Sequence, residues 1–337
     1  MEVKELVYDL PEDAIAQQPI EPRDAARLLV GLREAPPRHA QVRDLPEFVA
    51  PGDILVVNDT KVLRARLHLR KATGGSVEVF LLAPRDDTHA VWEALVRPGK
   101  RVPPGTELFH GDAAVVVVGA VLDEEVGTRA VELLGDRTPD DLVAAIGEVP
   151  LPPYIHERLA DPDRYQTVYA RVPGSVAAPT AGLHLTDAVL DACRAAGAQI
   201  ATVTLDVGLG TFRPMATDRV EDHHMHAETY VVPDATVAAI ERGRRVIAVG
   251  TTSLRCLESW AATGEQRGAT ELFIYGDYPF KVVDVLMTNF HLPGSSLLAL
   301  LDAFTGPRWR DLYALALREG YRFLSFGDAM LVDRRGA

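Results

Sequence analysis

Hydrophobic and polar positions change their rhythm along the chain. Between residues 65 and 135, short runs alternate apolar with polar side chains: RLHLR, SVEVFLL, VWEALV, GTELF, AVVVVGAVL and TRAVELL, separated by turns that contain Gly or Pro. Alternation with period two predicts strands with one buried face, and short strands at such regular spacing predict a small all-β barrel or sandwich. Thr138-Pro139-Asp140 follows as a cap with Pro in the first helical turn, and Gly147 marks the end of that helix.

Either side of this stretch the texture differs. Near the N-terminus Pro11, Pro19 and Pro22 interrupt the chain before an apolar strand over 27–32. After VPLPPYI, helical and strand patterns alternate. A helix follows Thr186, a strand covers QIATVTLDV, a helix follows Asp234, and RVIAVG reads as a buried strand. A helix over SLRCLESW, strands over ELFI and VVDVLM, helices over SSLLALLDAF and RDLYALALREG, and a last strand over YRFLSF complete the pattern. Such alternation predicts an α/β domain. The first ~60 residues are too short to fold alone. The expected organisation is therefore an α/β main domain over 1–62 plus 150–337, with a smaller inserted all-β domain over 63–149.

Composition narrows the class. At 47% hydrophobic and 25% charged over 337 residues, the chain has the balance of a soluble globular protein. Its longest apolar run, 113–122, is half of the ~20 residues that a membrane helix needs. The N-terminal MEVKELVYDLPED lacks the basic and apolar regions of a secretory signal. Cys193 and Cys256 alone give no Cys-x-x-Cys pair and no disulfide framework, which suits a reducing cytoplasm. The net charge of −13 repels nucleic acid from the surface as a whole, so any RNA site must be a local basic patch. NDTKVLRARLHLRK supplies one: Arg64, Arg66 and Arg70 share a face with His68, and no acid falls between Lys61 and Lys71. Arg97, Lys100 and Arg101 add a second acid-free cluster. The same stripe also suits a solvated edge strand.

Three further segments carry candidate chemistry. GTTSLR (250–255) joins a strand to a helix, and its backbone N–H groups and the hydroxyls of Thr251, Thr252 and Ser253 suit a carboxylate or phosphate as well as they suit an ordinary capped turn. VGLGTF (207–212) lacks the third Gly of a dinucleotide fingerprint. His223, His224 and His226 cluster ahead of Glu228, while His184 and His291 sit at loop–helix junctions. A His cluster suits a metal or proton transfer, but no His-Glu-x-x-His spacing is present. PTAGLH (179–184), with Thr180, and TNFHLPGSS (288–296) run from loops into helix starts and are dense in small residues.

Taken in order, LPEDAIAQQPIEPRDAARLLV, NDTKV, RYQTVYA, GSVAAPTAGLH, VGLGTFRP, HHMHAETY, VIAVGTTSLRCLES, TNFHLPGSSLL and FGDAM resemble the S-adenosylmethionine:tRNA ribosyltransferase-isomerase family of queuosine biosynthesis over nearly the whole chain. Asp206, Leu185 and Gly294 depart from residues common in the family, His, Phe and Lys respectively. The resemblance implies an α/β domain carrying a small β-barrel. It also implies transfer and isomerisation of the ribosyl moiety of S-adenosylmethionine onto 7-aminomethyl-7-deazaguanine at the tRNA wobble position, giving epoxyqueuosine with release of adenine and methionine. Neither metal nor bound cofactor is implied, and the expected partners are S-adenosylmethionine and the precursor-bearing tRNA, with no membrane and no protein partner.

Such a reaction needs a base, an acid, a carboxylate site, and aromatic faces for the sulfonium and adenine. His223, His226 and Glu228 are candidates for proton transfer; Thr251, Thr252, Ser253 and Arg255 for the carboxylate. Arg164, Tyr165, Gln166 and Tyr169, with Thr180, His184 and His291, are candidates for substrate contact, and the aromatics among them for stacking on an extruded base. Arg64, Arg66 and Arg70 are candidates for tRNA. Two rival readings differ in testable ways: a metal-dependent hydrolase would hold metal on the His cluster, and a non-catalytic RNA-binding module would use only the basic β domain.

Overall fold

A computed structural model describes residues 1–33, 35–124, 126–208 and 214–335. The chain divides into two compact units: Met1–Lys61, Pro152–Val172 and Ala178–Ala337 form one, and Val62–Leu151 with Pro173–Ala177 form the other. The short return of Pro173–Ala177 to the second unit has no counterpart in the sequence pattern.

The first unit is built on a mixed sheet of nine strands. In spatial order these are Arg267–Thr270, Glu228–Val231, Gln199–Leu205, Asp53–Asn58, Arg245–Val249, Val285–Asn289, Ala329–Asp333, Arg27–Gly31 and Arg38–Gln41. Gln199–Leu205, Asp53–Asn58, Arg245–Val249 and Val285–Asn289 run parallel to one another at its centre. Strands covered on both faces must be apolar throughout, and DILVVN and VLMTN are buried at every position. Leu55, Val57, Ile247, Val249, Val285 and Met287 meet Val189, Leu190 and Cys193 of the helix Asp187–Ala195. Helices Thr251–Thr263, Ser296–Thr305 and Arg308–Arg318 also pack on the sheet. Thr186 and Ser295 cap their helices by accepting from Val189 and Leu298 N–H at 3.3 and 3.2 Å, each cap being worth about 1 kcal/mol over Ala.

Two expected strands do not form. ELFI is irregular, and the edge strand lies before it at Arg267–Thr270. The Arg255 guanidinium takes the Thr270 and Leu272 carbonyls, which ends the ladder there. YRFLSF is buried but irregular, because Leu324 adopts φ +68° and breaks any extended run; the strand follows at Ala329–Asp333.

The second unit closes a six-strand antiparallel barrel. Arg66–Lys71, Ser76–Pro84, Val91–Arg97, Thr128–Leu133, Ala113–Asp123 and Glu107–His110 pair in that order, and the last returns to the first through Arg70 with Phe109 and Lys71 with Leu108. Closure removes free edges. Leu67, Leu69, Val79, Leu81, Trp92 and Val116 fill its interior, each buried Leu or Val contributing about 1.5–3 kcal/mol over exposure. Thr138 caps the helix Pro139–Ile146 as expected.

No helix among the described residues is long and apolar enough to cross a membrane.

Candidate functional site

The sheet order itself locates a crevice. Asp53–Asn58 is laid down first, Gln199–Leu205 joins it on one side and Arg245–Val249 on the other. Where connections diverge in this way, a hollow opens outside the carboxyl ends of the parallel strands. Those ends deliver Asn58, Asp206, Thr251 and Asn289. Buried Asn58 ties three of the segments together: its amide donates to Leu205 O at 2.9 Å and Thr252 Oγ1 at 3.3 Å, while its oxygen accepts from Leu205 and Thr60 N–H. Asp59 accepts from Thr204 Oγ1 and Arg171 Nη2 at 2.6 and 2.7 Å. Asp206 accepts from Thr60 and Thr229 hydroxyls at 2.9 and 2.8 Å. Burial lifts its carboxyl above the usual range against the pull of those donors.

Two adjoining hollows lie along this edge and share Leu297. The first is walled by Met225, Glu228, Thr251, Thr252 and Phe273. Gly250, at φ +88°, turns the chain there so that the helix Thr251–Thr263 begins against the hollow with its first amides unpaired by the helix itself. Thr251 and Thr252 therefore stand where an anion would. Ser253 does not, and Arg255, although on the wall of the hollow, is engaged elsewhere. The Ser253 hydroxyl is fully buried and donates to Val249 O at 2.7 Å. Arg255 spends Nε on Leu272 O, Nη2 on Thr270 O and Nη1 on Glu228, so its guanidinium is committed within the protein. Glu228 in turn is the counter-ion of Arg255 and accepts from Gly208 N–H at 2.8 Å, so its carboxylate too is engaged within the protein.

Tyr154, Thr180, Asn289, His291, Ser295 and Ser325 line the second hollow. Thr180 donates to Asn289 Oδ1 at 3.0 Å, Asn289 Nδ2 donates to Leu324 O at 3.1 Å, and the Tyr154 and Ser325 hydroxyls share a hydrogen bond of 2.7 Å. His291 is buried, with Nε2 3.0 Å from Thr288 Oγ1, and burial pushes its pKa down to about 3. An unfolded His binds its proton near pH 6.5 and this one only near pH 3, so the folded form loses stability as pH falls through that window. The slope is at most about 1.4 kcal/mol per pH unit for one proton. His291→Gln should flatten the dependence in urea titrations between pH 4 and 6.5; an unaltered slope would remove His291 as its source.

The remaining sequence candidates divide between core and rim. His184 is wedged between Ala181 O (3.1 Å) and Gly327 O (2.8 Å), a packing position. Tyr165 is fully buried edge-on to Phe326, so it offers no face to a base. Arg164 binds Glu21 and Ile20 O, and the Gln166 carbonyl accepts from Arg23 at 2.5 Å. The Tyr169 hydroxyl sits 2.0 Å from where a Cβ on Gly182 would lie, so a larger residue at 182 would displace the Tyr169 ring. The RYQTVYA segment thus packs as a strap against 20–23 and 180–184. His223 lies 5.3 Å from the Phe273 ring, and burial with its two neighbouring histidines holds its pKa below the ordinary value. His224 and His226 are exposed. Among the described residues no three His, Cys, Asp or Glu side chains gather as a metal site. Residues 209–212 of the VGLGTF segment, with residue 213, lie outside the described residues.

On the barrel, Arg66, His68 and Arg70 alternate outward with Leu67 and Leu69 inward, while Arg64 is exposed just ahead of the strand. The stripe is less purely basic than its sequence, since neighbouring strands bring acids to it. Arg66 stands over Phe80 and 3.8 Å from Glu78, and His68 is 3.4 Å from Glu148. Arg70 and Arg97 flank a shallow hollow beside them.

Asn58, Tyr154, Met225, Phe273, Asn289 and Ser325 were not among the sequence candidates. Asn58 and Asn289 belong to the motifs NDTKV and TNFHLPGSS, each as the last polar residue of a buried strand, which is a readable signal. Tyr154 and Phe273 lie on irregular segments and carry none.

A profile of the family described as "Queuosine biosynthesis protein" matches residues 3–332. The chain is 50% identical over 336 residues to an S-adenosylmethionine:tRNA ribosyltransferase-isomerase of Rubrobacter xylanophilus, covering 98% of each chain. It is 51% identical over 342 residues to the protein so named from Thermus thermophilus, covering 96% of this chain and 97% of that one. A crystal structure of an S-adenosylmethionine tRNA ribosyltransferase from Thermotoga maritima superposes with a TM-score of 0.55 at 36% identity, covering 97% of this chain and 99% of that one. With identity of this order along almost its whole length, the chain belongs to the S-adenosylmethionine:tRNA ribosyltransferase-isomerase family of queuosine biosynthesis.

Proposed function

We propose that this chain transfers and isomerises the ribosyl moiety of S-adenosylmethionine onto 7-aminomethyl-7-deazaguanine at the tRNA wobble position, leaving epoxyqueuosine and releasing adenine and methionine. The observation that carries this reading is family identity over residues 3–332, joined to a crevice at the carboxyl edge of the sheet where the family's motifs meet. The methionine carboxylate takes the amides and hydroxyls at Thr251 and Thr252. The hydroxyl and amide groups of Tyr154, Thr180, Asn289 and Ser325 suit the sugar. The sulfonium acidifies the ribose 5′ carbon; a base removes that proton, adenine leaves with help from an acid, the precursor amine attacks the sugar, and the carbon–sulfur bond breaks to release methionine as the epoxide closes. His223 and His226 lie within two residues of Met225, which lines the first hollow, and are the proton-transfer candidates, whereas Glu228 and Arg255 hold its wall.

Incubation with S-adenosylmethionine and precursor-bearing tRNA should release adenine, and the release should survive EDTA treatment. Loss of activity on EDTA with recovery on Zn²⁺ would favour the metal-dependent hydrolase.

For the tRNA, the barrel arginines are proposed to contact phosphates. Replacing Arg64, Arg66 and Arg70 by Ala should weaken tRNA binding and reduce the slope of log K against log salt by about 0.7–0.9 for each phosphate no longer neutralised. Because Arg66 already has Glu78 and Phe80 as neighbours, Arg64 and Arg70 should account for most of the change. Unaltered salt dependence would return the stripe to an ordinary solvated face.

A further inference from the structure

Phe273 stands apart from the other walls of the first hollow. Thr251, Thr252, Ser296 and the ion pair of Glu228 with Arg255 line that hollow together with six apolar side chains, and Glu228 is neutralised by Arg255 and engaged by Gly208 N–H. No free carboxylate among its described lining residues attracts a cation. Phe273 is half-buried there, its ring centroid 5.3 Å from that of His223 in an edge contact and 4.9 Å from that of Tyr275. His223 has its pKa held below the ordinary value, so no imidazolium competes for the ring near neutral pH.

A sulfonium is a cation that carries three carbon substituents and no hydrogen-bond donor. Hydrogen-bond acceptors give it little, while the negative face of an aromatic ring attracts it and tolerates its apolar surroundings. In S-adenosylmethionine the sulfur lies three carbons from the carboxylate carbon. With the carboxylate at Thr251 and Thr252, as proposed above, the sulfonium falls within the same hollow that Phe273 walls.

The geometry points to Phe273 as the sulfonium-recognising residue, its ring giving the site preference for the charged substrate over its uncharged thioether analogue. This inference rests on the proposed reaction and on the placement of the carboxylate. Met225, on the same hollow, supplies a polarisable neighbour rather than a second charge.

The test is calorimetric titration of the full chain with S-adenosylmethionine and with S-adenosylhomocysteine. Phe273→Leu should weaken S-adenosylmethionine about 2- to 30-fold, the range a cation–π contact provides, and change S-adenosylhomocysteine by less than twofold. Phe273→Trp should keep or raise the preference, which guards against a loss that comes from misfolding alone. Equal weakening of both ligands by Phe273→Leu would assign the ring to adenine stacking or packing and overturn the inference, as would an unchanged preference. In either case adenine release by the wild-type chain would leave the proposed reaction standing. A wild-type chain that binds neither ligand would overturn both.

Discussion

Replacing Arg255 by Met should lower the unfolding free energy by about 3–5 kcal/mol, because Glu228 would remain buried without its counter-ion. The side chains are 8% and 6% exposed, so water cannot take the place of the missing partner. The Thr270 and Leu272 carbonyls would lose their donors as well. Arg255→Met combined with Glu228→Gln should recover part of the loss, since it removes the stranded charge, and urea unfolding of the wild type with the three variants gives the coupling directly. S-adenosylmethionine affinity should fall in step with stability. A stable Arg255→Met protein with a selective loss of S-adenosylmethionine binding would instead make the guanidinium a ligand contact.

His226→Ala should lower adenine release about 10²- to 10⁴-fold while leaving S-adenosylmethionine affinity nearly unchanged, the pattern of a group that moves a proton in the transition state. His226 is exposed and follows Met225, a lining residue of the first hollow, in the chain. His223, packed against Phe273, is the comparison: His223→Ala should affect binding and turnover together. Normal turnover by His226→Ala with full loss in His223→Ala would exchange the two roles.

The barrel was legible because its strands expose one face and bury the other, so every pair such as Leu67 and His68 repeats the same instruction. Among the parallel strands, RVIAVG and VVDVLM were legible as apolar runs and QIATVTLDV by its alternation, whereas the equally apolar DILVVN at the centre of the sheet was not among the expected elements. YRFLSF misled because burial on all sides makes an irregular segment as apolar as a strand, and nothing in the letters signals the left-handed Leu324. ELFI misled for the related reason that its neighbouring carbonyls answer to Arg255 rather than to a strand. At the site, residue type indicated chemistry but not commitment. Thr251 and Arg255 are both able to bind a carboxylate, and only the fold decides that Thr251 faces the hollow while Arg255 holds Glu228. Tyr165 and His184 illustrate the same limit, their polar atoms being consistent with a ligand until burial is known.

Arg255 and Glu258 lie one turn apart on the helix Thr251–Thr263 and grip the same excursion of chain at its two feet. Arg255 holds the carbonyls of Thr270 and Leu272; Glu258, fully buried, accepts from the N–H groups of Lys281, Val282 and Val283 at 2.9, 3.0 and 3.0 Å. Residues 273–280 are thus a cassette whose ends are pinned by the helix that begins at Thr251. Two walls of the first hollow, the helix start at Thr251 and the segment that bears Phe273, are thus held to one another by a single helix and not by the turns of the segment itself.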